Sequence, residues 1–121
     1  MLEETYFVPV TILSEANKVD HWRTKDKRKK EQKNAIKLVM GRTKVKPPCI
    51  VSLTRIAPRA LDAEDNLPSS LKWAKDCVAD ILVPGKQSGR ADGDKRITWI
   101  LAQKKGKVRQ YGLEIHLMET G

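Results

Sequence analysis

The sequence is poor in the features that mark several protein classes. It has two cysteines, Cys49 and Cys77, too few for a disulfide framework or a four-ligand zinc site, so a reducing, intracellular setting is expected. It has no long apolar run. The longest, Phe7 to Leu13, falls far short of the ~20 residues a helix needs to cross a bilayer. Its start, Met-Leu-Glu-Glu, lacks the basic region of a secretory signal, which points to the cytoplasm and away from membranes. No internal repeat is visible. What remains is 40% apolar and 32% charged, the balance of a folded soluble chain. At 121 residues a single domain over 1–121 is expected, with one core that removes roughly 65% of the unfolded surface.

Positive charge is in excess and unevenly placed. The chain has 24 Lys and Arg against 15 Asp and Glu, a net +9. Between Lys18 and Lys46 stand twelve basic and three acidic residues, so this quarter of the chain carries the whole excess. A second bias runs the other way, with Asp62, Glu64, Asp65, Asp76, Asp80, Asp92 and Asp94 close together in sequence. A basic arm beside an acidic centre predicts a polyanion-binding surface next to a metal-capable pocket.

The pattern of residues predicts an α/β (α+β) domain in the order β-α-β-α-β-β. Tyr6 to Leu13 reads as a first strand, with Pro9 favouring an edge or bulge. Val19 to Val39 has no Gly or Pro and is dominated by Lys, Arg, Glu, Gln and Ala. That composition predicts a helix, with Asp20 as its cap, Gly41 as its stop and a thin apolar face of Trp22, Ala35, Ile36 and Val39. After Lys46-Pro47-Pro48 a second strand is expected over Cys49 to Ile56. Leu67, Leu71, Ala74, Val78, Ile81 and Leu82 then recur at helical spacing. They predict one helix to Leu82, capped by Asp65 or Asn66 and ended by Pro84-Gly85, with a flexible loop to Asp94. Ile97 to Gln103 and Val108 to Met118, joined at Lys104-Lys105-Gly106-Lys107, read as a β-hairpin whose Leu113, Ile115 and Leu117 face the core. A mixed sheet with helices packed on it accommodates this order.

The segment Leu61-Asp62-Ala63-Glu64-Asp65-Asn66-Leu67 carries three carboxylates in four residues. Like charges about 4 Å apart repel by roughly 4 kcal/mol at an effective dielectric of 20. Full solvation, protonation or a shared cation relieves that repulsion, and hard oxygen ligands suit Mg²⁺ or Mn²⁺. The plainer alternative is an acidic helix start that complements the helix dipole. Lys72 falls about two helical turns beyond Asp65, where it could meet a phosphate. Its plainer role is an i,i+4 pair with Asp76. Asp92-Gly93-Asp94 adds carboxylates before a strand, or forms an ordinary turn.

Taken together, Asp62-x-x-Asp65-Asn66-Leu67, Lys72-x-x-x-Asp76, Asp92-Gly93-Asp94 and Arg96-Ile97-Thr98-Trp99 resemble the RusA-like endodeoxyribonucleases. These are the Holliday junction resolvases of bacteria and prophages. Asn17, His21-Trp22 and the basic helix from Arg28 to Lys33, with its Lys/Arg-x-x-Gln pattern, resemble phage-borne members. The likeness spans roughly residues 10 to 118. It implies a homodimeric α/β protein that binds four-way DNA junctions and hydrolyses phosphodiesters with Mg²⁺ (or Mn²⁺) held by aspartates. It also implies a role in recombination and repair in a bacterial or phage-infected cell.

By position, the resemblance makes Asp65 the acid of the Asp-Asn-Leu motif, Asp62 its upstream partner and Lys72 the helix lysine. Asp94 is the acid before the third strand, with Asp92 as its rival. The better-known form spaces its first acids Asp-x-Asp and sets its lysine two residues after the Leu. Here the acids are Asp-x-x-Asp, which leaves Glu64 as an alternative to Asp62, and Lys72 follows Leu67 by five residues.

The expected mechanism is metal-assisted hydrolysis, with Asp62, Asp65 and Asp94 (or Asp92) holding the metal and Lys72 meeting the phosphate. Lys25, Lys27, Arg28, Lys29, Lys30 and Lys33 would contact DNA phosphates without reading sequence, and Arg55 and Arg59 would fix the scissile strand. Two other readings are a non-catalytic basic DNA-binding protein and a nuclease acting on flaps. His21 is expected at a helix start, His116 facing solvent, and Trp22, Trp73 and Trp99 in the core or a dimer interface. Cys49 and Cys77 are expected to pack as small apolar groups.

Overall fold

A computed structural model describes residues 1–14, 22–85 and 90–121. It is a mixed α/β domain with helices on a four-stranded sheet. The elements are β1 (Glu3–Val8), α1 (Trp22–Met40), β2 (Cys49–Ala57), α2 (Asn66–Ser70), α3 (Lys72–Leu82), β3 (Ile97–Lys105) and β4 (Gly112–Glu119). The sheet order is β1-β4-β2-β3, with β2 parallel to β3 and antiparallel to β4, and β1 antiparallel to β4.

The expected hairpin is therefore corrected: β3 and β4 are not neighbours, because β2 lies between them. Val51, Leu53, Ile56 and Ala57 of β2 are all buried, and a strand this apolar takes the centre of a sheet. The segment 106–111 steps across the end of β2, a span of about 10 Å for two strand spacings. The step is closed by Gly106 N–H donating to the Ala57 carbonyl at 2.9 Å. A side chain at Gly106 would meet the Gln110 carbonyl oxygen at 2.8 Å, so this close approach needs glycine.

The first strand also differs from expectation, ending at Val8 rather than Leu13. Pro9 cannot donate to a ladder, and Val10 N–H turns back to the Val8 carbonyl at 2.9 Å. The strand does lie at the sheet edge that Pro9 favours.

One face of the sheet forms the core with the helices. Paired rows set Tyr6, Ile115, Leu53 and Leu101 side by side, and beside them Val51, Leu117 and Trp99. Ile36 and Met40 of α1 and Leu71, Ala74 and Val78 of the second helical segment join them in one buried cluster. Cys49 and Cys77 lie in that cluster as free, buried thiols, and burial pushes both pKa values up. No helix among the described residues is long and apolar enough to cross a membrane.

The single helix expected up to Leu82 is broken at Leu71 into α2 and α3. The Ser70 hydroxyl donates to the Leu67 carbonyl at 2.7 Å, a local bond of the kind that bends helices. Leu67 before the break, Leu71 at it and Ala74 beyond it stay buried, so the apolar stripe survives while the axis changes. The consequence is that Lys72 opens a helix of its own.

Candidate functional site

The acidic turn forms because Asp62 satisfies backbone amides. One oxygen of its carboxylate accepts from Asp65 N–H at 2.9 Å and Asn66 N–H at 3.2 Å, and the other accepts from the Asn66 side-chain amide. Those donors favour the charged form. The amides of Asp65 and Asn66 hold the Asp62 carboxyl below its ordinary value. Asp65 stands at the cap position of α2 but makes no capping bond with its own side chain. Asp62, Glu64 and Asp65 are all exposed.

The turn is pinned to the sheet by a residue that sequence reading did not single out. Gln103 of β3 accepts from Leu61 N–H at 2.8 Å and donates to the Leu61 carbonyl at 2.6 Å. A two-point amide clamp on the main chain fixes both the position and the orientation of the residue before Asp62. Nothing local marks a glutamine in a strand for this role, since its partner is 42 residues away.

The second acidic turn is a short 3₁₀ segment, Ala91–Gly93, anchored to the same strand. Trp99 donates its indole N–H to the Asp92 carbonyl at 3.1 Å. The Lys75 ammonium lies 5.4 Å from the centroid of the Trp99 ring, a cation–π contact. Trp99 and Gln103 are four residues apart on one face of β3, so their two anchor points lie about 13 Å apart along the strand.

Lys72 bridges the helix and the second turn. Its ammonium lies 3.0 Å from Asp76 Oδ1 and 3.1 Å from Asp92 Oδ2. The i,i+4 pair is thus present, with Asp92 as a second anchor. The bond to Asp76 raises the Lys72 pKa, opposed by burial and aided by Asp92. Burial pushes the Asp92 carboxyl up, but Lys72 and Lys75 outweigh it and hold that carboxyl below its ordinary value. The lysine side chain remains 57% exposed, so a protonated amine faces solvent while its base is fixed.

Asp94 is held differently. Its two oxygens accept from Arg96 Nε at 3.0 Å and Nη2 at 2.9 Å, and Oδ1 also accepts from Arg96 N–H at 2.9 Å. The structure therefore distinguishes the two rival acids: Asp92 faces Lys72, and Asp94 faces Arg96. Among the described residues no three His, Cys, Asp or Glu side chains converge in a set that could hold a metal ion.

The basic residues lie where the helix puts them. Lys25, Lys27 and Lys30 are exposed on α1, and Arg28, Lys29 and Lys33 are half-buried. Gln32 of the Lys/Arg-x-x-Gln pattern turns inward and is buried. α1 packs along α3, with the Cys77 thiol 3.6 Å from the Lys33 carbonyl, so the basic helix and the Lys72 helix lie side by side. Asn17, Asp20 and His21, and the centre of the loop after Gly85, lie outside the described residues.

Arg55 departs from its expected DNA-facing role. It is 5% exposed, and its guanidinium donates to the Ile12 carbonyl at 2.9 Å and the Arg59 carbonyl at 2.8 Å. It ties two loops together, because its position on β2 points it to the core side. Burial lowers its pKa. Arg59 is exposed and lines a cavity of about 400 Å³ with Arg109 and Tyr111. His116 is partly exposed, as expected, and its Nε2 lies 2.7 Å from Glu3 Oε1. Of the core or dimer interface expected for Trp22, the core is excluded, since its side chain is 66% exposed in the single chain.

No protein-family model matches this sequence, and no curated protein matches it.

Proposed function

We propose that the protein is a metal-dependent endodeoxyribonuclease of the RusA-like kind, acting as a homodimer on four-way junctions and other branched DNA. The observation that carries this reading is the packing of the +9 segment's helix, α1, along α3, whose first residue is the exposed, acid-anchored Lys72. A surface that attracts phosphates and a fixed ammonium that can meet one therefore adjoin.

Asp62, Asp65 and Asp94 are the residues proposed to hold Mg²⁺ or Mn²⁺. Their donors fit in kind: hard carboxylate oxygens, of which those of Asp65 make no capping bond. Among the described residues no three such side chains converge, but Mg²⁺ commonly takes one or two carboxylates, waters and substrate phosphate oxygens, so a pair of these acids would be enough once DNA is present. The metal, when bound, supplies Lewis-acid stabilisation and an activated water.

The chain's own residues do the remaining work. Lys72, kept protonated by Asp76 and Asp92, offers charge to the phosphate. Gln103 and Trp99 hold the two acidic turns in place. The α1 cations bind the DNA backbone. Arg96, with a side chain 57% exposed, can swing from Asp94 to solvent or phosphate. For the dimer, the sheet face opposite the core is the proposed contact, where Phe7 is 55% and Ile100 is 49% exposed. A twofold pair of such sites suits paired nicks on a pseudo-twofold junction.

A second reading, a basic DNA-binding protein without catalysis, is favoured by the structural work of two of these acids: Asp62 caps a turn and Asp94 chelates Arg96. Incubating the full chain with labelled four-way, flap and linear duplex DNA, in Mg²⁺ and in EDTA, separates the two. Paired nicks in the four-way junction that require the metal are expected. Salt-dependent binding without cleavage in Mg²⁺ or Mn²⁺ would establish the second reading instead.

A further inference from the structure

A groove runs between the start of α1 and the start of α3. Trp22, Lys25, Asp26, Lys29 and Trp73 line it, and it encloses about 260 Å³. On α1 these positions follow helical spacing of three and four, so they form one stripe along the helix. Trp73 comes from the facing helix and directly follows Lys72.

Three features of this groove bear on what it could hold. Trp22 is 66% exposed, an unusual position for the largest apolar side chain in a monomer. Its ring already accepts a cation, with the Arg23 guanidinium 5.3 Å from the centroid. Among the described residues that line the groove the one acid, Asp26, is 3.0 Å from Lys30, which leaves Lys25 and Lys29 as the net positive charge of that lining.

We propose that this groove holds an unpaired DNA base, stacked on the indoles of Trp22 and Trp73, with Lys25 and Lys29 on the flanking phosphates. The volume is smaller than the roughly 300–1,000 Å³ of pockets that enclose a drug-sized ligand, which suits one planar ring. Aromatic rings interleaved with cations along a groove are how single strands are held without reading sequence, because every base has a π-face. A second copy of this chain is a poor occupant, since it would bring another +9 against a basic groove. The inference rests on the DNA-binding part of the reading above and not on its catalytic part. It adds that the branched substrate is bound with a base withdrawn from the stack, one residue from Lys72.

The test is equilibrium binding of the full chain, in EDTA, to a fluorescent oligothymidylate and to a strand of equal length with abasic sites. The wild type should bind the thymidylate more tightly than the abasic strand, with quenching of tryptophan fluorescence. Trp22→Ala and Trp73→Ala should each weaken thymidylate binding about five- to fifty-fold and leave abasic binding unchanged. Trp22→Phe and Trp73→Phe should recover most of the loss, which separates stacking from damage to the fold. Equal wild-type affinity for both strands, or Trp22→Ala binding thymidylate as the wild type does, would overturn the proposal. Base-dependent binding by a protein that cuts nothing would refute the nuclease while supporting the groove. Metal-dependent cleavage with no base dependence would do the reverse.

Discussion

The two acidic turns deal with their negative charge by different means. Around Asp62 the backbone does it, with the amides of Asp65 and Asn66 pointing into one carboxylate. Around Asp92 a side chain does it, with Lys72 held between Asp76 and Asp92. The first device is local and comes with the turn. The second needs three elements to meet, and it leaves a charged amine in solvent beside the basic helix. The acid-rich stretch is therefore two turns held by different devices, and the second carries an exposed ammonium.

The comparison breaks most sharply at its central residues. Asp62→Ser keeps a capping oxygen for the turn, so the fold should survive. If Asp62 is also a metal ligand, junction cleavage should still fall about a hundredfold. Thermal melting beside a single-turnover assay checks both, and unchanged cleavage would make Asp62 a cap alone. Lys72→Ala should cost about a hundredfold in cleavage, the scale of losing one transition-state charge donor. Asp76→Asn, which only loosens the lysine, should cost about tenfold.

A smaller effect sharpens the contrast between binding and chemistry. Lys25→Ala and Lys29→Ala should each reduce the slope of log affinity against log salt by about 0.9 if each contacts one phosphate. Cleavage at saturating enzyme should be little changed. Fluorescence anisotropy across a salt series measures the slope.

The smallest effect is on stability against pH. Asp62 and Asp92 have lowered pKa values in the fold, so the unfolded chain takes up more protons in acid. Their contribution is complete above the ordinary carboxylate value, about 4, and is lost as pH falls through it to the folded values. Lys72 is raised, so its contribution is complete below the ordinary lysine value of about 10.4 and is lost as pH rises beyond it. Thermal melting across pH should show both limbs, and Lys72→Met should remove part of the alkaline one.

Much of this was legible in the sequence. Strands β2 and β3, the basic helix, the buried faces of β4 and of the Leu67-to-Leu82 stripe, and the Lys72–Asp76 pair follow from short-range periodicity, whereas the bounds of β1 do not. The sheet order did not follow, because a six-residue link allows either a hairpin or a step across one strand. Burial of Val51, Leu53 and Ile56 decided between them. Arg55 looked like a surface cation because strand patterning does not say which end of a face is covered by loops. Gln103 and Trp99 were not legible as anchors, since each meets a backbone group brought near only by the tertiary fold.

The most direct test measures junction binding and single-turnover cleavage together, in one Mg²⁺ buffer, for the wild type and Asp65→Asn. The account predicts affinity within about twofold of the wild type and a loss of at least about a hundredfold in cleavage. An Asp65→Asn protein that cuts the junction at the wild-type rate would contradict it.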